Sequence, residues 1–86
     1  MMDSILAVFR SRTQAIDCVS RLKYYGVGAA AVSTPREANV GCGISVRIAE
    51  RDLPRARRIL AGAKYSAFVG FLSLQVRGGR TFARFL

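Results

Sequence analysis

The order in which apolar periodicities follow one another is what most constrains this chain. Ser4-Ile5-Leu6-Ala7-Val8-Phe9 is a short, almost wholly apolar run, the pattern of a central strand buried on both faces. From Thr13 to Tyr25 the period becomes helical. Ala15, Cys18, Val19, Leu22 and Gly26 form a stripe, with Ile16 at its edge, while Arg12, Asp17, Arg21 and Lys23 lie largely off it. Ser11 or Thr13 can cap this helix, and Gly26 is its natural stop, since glycine enters the left-handed C-cap without strain. Residues 28–33 read as a weak second strand, because alanine is a poor strand former. Ile44, Val46 and Ile48 then alternate with Ser45 and Arg47, an apolar face against a polar one.

A second helix follows. Asp52 is placed to cap it and Pro54 is tolerated in its first turn. Leu53, Ala56, Ile59, Leu60 and Ala63 fall on its inner face. Residues 67–76 form a last apolar strand, with Gly70 in its middle as a bulge candidate. The order strand, helix, strand, strand, helix, strand is that of two split βαβ units. The expected class is α+β: a ferredoxin-like βαββαβ fold, with a four-stranded antiparallel sheet and two helices on one face. A chain of 86 residues leaves room for one domain, placed at 1–77. Gly78-Gly79 opens a basic and aromatic tail, 78–86, that either folds back on its own sheet edge, adds a strand to a neighbour, or stays unordered.

Composition narrows the chemistry. The chain has no His and two Cys. That removes Ser-His-Asp and Cys-His catalysis and falls short of a zinc site, which takes about four ligands; no metal and no cofactor are expected. Nothing marks a secretory signal, with Asp3 where basic residues would stand, and no apolar run approaches the ~20 residues a membrane span needs. The reading is a cytoplasmic protein with free thiols and no membrane association. The net charge is +9, a field that draws nucleic acid, anionic lipid or an acidic partner.

The one unusual segment joins the second and third strands. It holds Cys42 between Gly41 and Gly43, with Arg36 six residues before it. Glycines leave the backbone around the thiol open, a cation such as Arg36 favours a thiolate, and neighbouring amides can form a small anion-binding concavity. The alternative is a small apolar residue at a strand entrance, with the glycines serving only the turn. Cys18, on the helical stripe, reads as packing.

Residues 34–44, Thr-Pro-Arg-Glu-Ala-Asn-Val-Gly-Cys-Gly-Ile, resemble the signature of the putative selenium/sulfur carrier protein-like family: Pro-Arg-Glu, four residues often rich in serine, then Cys-Gly and a strand. The likeness covers about residues 4–74. It implies that Cys42 accepts sulfur or selenium as a persulfide or selenyl sulfide and hands it on. The motif's other members fall on Pro35, Arg36, Glu37 and Gly43; in this reading Arg36, Gly41 and Gly43 hold the bound group, while Pro35 and Glu37 shape the loop, Glu37 by pairing with an arginine or capping a turn. Ala38-Asn39-Val40-Gly41 departs from the family's serines. The partners implied are sulfur or selenium donor and acceptor proteins, and the role is a non-enzymatic carrier rather than a turnover enzyme. A homodimer through a sheet edge or the tail is a further expectation. The alternative function is a nucleic-acid-binding or protein-interaction module. It would use Arg55, Arg57 and Arg58 with Arg77, Arg80 and Arg84, interleaved with Phe82 and Phe85.

Overall fold

A computed structural model of the chain describes residues 4–38 and 40–86. The elements are β1 (Ser4–Phe9), α1 (Arg12–Tyr24), β2 (Ala29–Ser33), β3 (Ile44–Ala49), α2 (Leu53–Ala63), β4 (Phe68–Arg77) and β5 (Arg80–Phe85). Short 3-10 turns occupy Arg36–Ala38 and Glu50–Asp52. The strands form one sheet in the order β2-β3-β1-β4-β5, every neighbouring pair antiparallel.

The protein is therefore α+β with two helices and a five-stranded sheet, and the expected four-stranded ferredoxin-like arrangement is not matched exactly. The difference comes from the segment set apart as a tail. Gly78 and Gly79, at φ +56° and +76°, make a two-residue turn whose twist suits a hairpin. It returns the chain beside β4, with Leu72 opposite Phe85, Leu74 opposite Ala83 and Arg77 opposite Arg80.

Strand alternation sorts side chains onto the two faces. Ile5, Ala7 and Phe9 of β1 share a core with Cys18 and Leu22 of α1, Ala56 and Leu60 of α2, Val46, Ile48 and Phe71. Both helices thus cover one face. Leu6, Val8 and Leu72 point the other way and are equally buried. They are sealed by Ala38 and Val40, from the loop between β2 and β3, and by Ala83 of β5.

Local chemistry sets the ends of the elements. Ser11 Oγ accepts a hydrogen bond from the Gln14 amide at 3.2 Å, capping α1. Asp52 does not cap α2 with its side chain, a correction to the sequence reading. The 3-10 turn before α2 already winds the backbone into helix, so Asp52 has helical dihedrals rather than the extended ones a capping side chain needs. The bulge at Gly70 is present: Val8 pairs with Gly70 but Phe9 with Phe68, leaving Val69 as the extra residue. Among the described residues no helix is long and apolar enough to cross a membrane.

Candidate functional site

The loop between β2 and β3 is fastened at three points. The Thr34 amide donates to the Gly43 carbonyl at 2.8 Å, closing the loop's neck. The Thr34 and Ser45 hydroxyls lie 2.6 Å apart across the same neck. The Cys42 amide donates to the Phe9 carbonyl at 2.9 Å, pinning the loop to the end of β1. Within the loop, the Ala38 amide donates to the Pro35 carbonyl at 3.1 Å.

Gly41 is required by this seating. Its φ is +91°, and a Cβ there would lie 2.8 Å from the Phe9 oxygen and 2.9 Å from a Val8 methyl, closer than side chains approach. Gly43 also has positive φ, +92°, but open space around it. The two glycines have different reasons: one permits contact with β1, the other only turns the chain into β3.

The sequence-predicted residues do not all converge. Pro35, Arg36, Gly41 and Gly43 line one shallow groove, together with Thr34 and Val40. Arg36 is exposed and Pro35 half-buried. Cys42 sits between the two glycines of that wall without lining the groove. Its thiol is half-buried and lies 3.6 Å from the Ile44 carbonyl oxygen, a weak S–H···O contact. Among the described residues no hydrogen bond joins Arg36 to the Cys42 thiol. The amide concavity expected around the sulfur lacks one member, since the Cys42 amide is engaged by Phe9. The side chain of Glu37, expected to pair with an arginine or cap a turn, lies outside what the structure describes.

Cys18 is the contrasting thiol. It is fully buried in the helix-side core, and both cysteines are free. Burial pushes the Cys18 thiol up to about 12, with the neighbouring Asp17 carboxylate acting in the same direction. A thiol held protonated in apolar surroundings is inert.

Sequence reasoning missed the polar fastenings. Ser45 falls on the polar face of β3 by alternation, yet it is fully buried, because the loop covers that face. Its one signal was a small hydroxyl residue beside a turn, with Thr34 at the loop's other end. The Phe9 carbonyl, a backbone group, left no signal at all. Ala38 and Val40 also have a visible role, since they are the apolar contacts that seat the loop on Leu6, Val8 and Leu72.

A small antiparallel α+β domain with one partly exposed thiol in a glycine-flanked loop is the class these features define. The chain belongs to the putative Se/S carrier protein-like family, whose model matches residues 4–68. The match runs from β1 through α2 and ends at the first residue of β4. No curated protein and no solved structure matches the chain.

Proposed function

We propose that the protein carries sulfur or selenium on Cys42, by covalent exchange with a donor and an acceptor protein. The observation that carries this reading is the difference between its two thiols. Cys18 is sealed in the core, whereas Cys42 is half-exposed in a loop fixed to the sheet. Family membership supports this class of cargo. In this reading the frame is a ferredoxin-like βαββαβ unit extended by β5.

The exchange needs no cofactor and no change in net oxidation state. The Cys42 thiolate attacks the terminal sulfur of a donor persulfide. A new S–S bond forms at Cys42 as the donor's S–S bond breaks, and the donor leaves as its thiolate. Cys42 then holds the persulfide, and the weak contact from its S–H to the Ile44 carbonyl is given up. Delivery is the same exchange with an acceptor thiolate as nucleophile and Cys42 as leaving group. Selenium follows the same route as a selenyl sulfide. Arg36 and the two glycines supply the cationic, open side of the loop; Pro35 and Glu37 set its entrance. Nothing in this chemistry requires the protein to turn over a substrate.

The test is intact mass after incubation with glutathione persulfide followed by removal of excess donor. The wild-type protein and Cys18→Ala should each gain one reducible sulfur atom, and Cys42→Ser none. Sulfur on Cys42→Ser at the wild-type level removes the carrier role from this residue.

A further inference from the structure

The hairpin of β4 and β5 builds a second surface, away from the Cys42 loop. Its register pairs Ser73 with Arg84, Gln75 with Phe82 and Arg77 with Arg80. Alternation puts these side chains on the same side of the sheet as Phe71, the helix side. The helices do not cover them. Phe82 is 49% exposed and Arg77, Arg80 and Arg84 are all exposed. The Arg57 guanidinium of α2 lies over the Phe71 ring at 5.2 Å, which adds a cation at the Phe71 end of this strip. A shallow groove runs between Ser73, Gln75 and Arg77 on one strand and Phe82 and Arg84 on the other.

Three features of this strip select its ligand. It is uniformly cationic, for no Asp or Glu occurs after Asp52. Its charges are regular: Arg80, Phe82 and Arg84 sit at alternate positions of one strand, so an aromatic ring is flanked by arginines about 7 Å away on either side. Its floor is shallow and mainly apolar, with the Ser73 hydroxyl and the Gln75 amide in its lining beside the ring. A chain of phosphates with exposed aromatic planes complements all three. Phosphates meet the arginines, a base stacks on Phe82, and the floor reaches its edge. A duplex complements them less well, because its bases are already stacked on one another and offer Phe82 no free face.

We propose that the helix-side strip of the β4–β5 hairpin binds single-stranded nucleic acid, with Phe82 as the stacking platform and Arg77, Arg80 and Arg84 on the phosphates. This site lies almost wholly beyond the residues matched by the family and does not depend on the carrier role of Cys42.

The experiment is fluorescence anisotropy of the full chain with labelled oligo(dT) and oligo(U) of about 12 nucleotides, within the span of one such surface, as salt is varied. Binding with a Kd near 10⁻⁵ M or tighter at low salt is expected. Phe82→Ala should weaken it about tenfold. Phe82→Leu, which keeps apolar bulk in the strand and removes the aromatic face, should weaken it similarly, and Phe82→Tyr should restore it. Arg84→Ala should lower the slope of log K against log salt by about 0.7. Cys42→Ser should leave all of this unchanged. Far-ultraviolet circular dichroism checks that each variant is folded. The proposal is overturned by absence of binding at low salt, by a duplex binding as tightly as the single strand, or by binding indifferent to both Phe82 and Arg84. It is equally overturned if poly-glutamate competes as well as the oligonucleotide does, which would mark an acidic protein as the partner.

Discussion

The two faces of the sheet are covered by different kinds of structure, and each cover carries one cysteine. On one face the cover is two helices, whose Cys18, Leu22, Ala56 and Leu60 interlock with Ile5, Ala7, Phe9 and Phe71. On the other it is an irregular loop that offers little more than Ala38 and Val40 to Leu6, Val8 and Leu72. The first cover satisfies its own backbone and contributes bulk. The second is held by a handful of hydrogen bonds to the neck and to β1. The same side chain, a cysteine, is made inert by one cover and left half-open by the other. The pattern of an element therefore decides what its thiol can do more than the thiol's place in the sequence does.

The contrast in stability should be large. Leu22→Ala removes a fully buried side chain from the helix-side core and should cost about 2–5 kcal/mol. Val40→Ala trims a half-buried contact on the loop and should cost about 1 kcal/mol. Urea unfolding at neutral pH measures both. A Val40→Ala cost equal to that of Leu22→Ala would mean that the loop belongs to the folding core, and the distinction between the covers would fail.

Alkaline pH sharpens the comparison from the helix side. The folded state holds the Cys18 proton to about 12, against 9.0 for an unburied thiol. Above pH 9 the unfolded chain gives up a proton that the folded chain keeps. The stabilisation tied to that proton is complete below pH 9 and drains away as pH rises toward 12, reaching a few kcal/mol in all. Tyr65 acts in the same direction above pH 10. Its partial burial, and the hydrogen bond it donates to Asp17 at 2.6 Å, push its hydroxyl up to about 12. Unfolding free energy should therefore fall steeply between pH 9 and 12, and Cys18→Ala should fall less steeply. Parallel curves for the two proteins would show that Cys18 is hydrated in the folded state.

Regular structure was legible in the sequence because burial on a helix or strand leaves a period. The stripe of Ala15, Cys18 and Leu22 and the apolar run of β1 needed only that. Gly70 marked a bulge because a glycine inside a strand pattern has few other uses. β5 was less legible. Arg80 to Phe85 carries arginines where a buried strand would carry aliphatic residues, and an edge strand exposed on the helix side does not need them. The loop was legible in composition but not in placement. Gly-Cys-Gly signalled an unusual backbone, yet nothing local says that the segment folds across the sheet, buries Ser45 and uses the Phe9 carbonyl. Those are contacts between residues far apart in sequence, made by groups that have no pattern.

The smallest expected effect separates the two glycines, and it tests whether the loop cover is truly seated. An alanine methyl at Gly41 would meet the Phe9 oxygen at 2.8 Å, the same atom that accepts the Cys42 amide hydrogen bond. The loop must then lift from β1 or keep both strain and clash, a cost of about 1–3 kcal/mol. Gly43→Ala has open space and bears only the left-handed backbone, about 1–2 kcal/mol. The two variants should therefore differ modestly in stability but clearly in thiol behaviour. Alkylation of Cys42 in the native protein should change in Gly41→Ala, stay near the wild-type rate in Gly43→Ala, and leave Cys18 protected in both. Equal alkylation rates for both variants would show that the bond to Phe9 does not control the thiol. The loop would then be a tether for Cys42 rather than a mount.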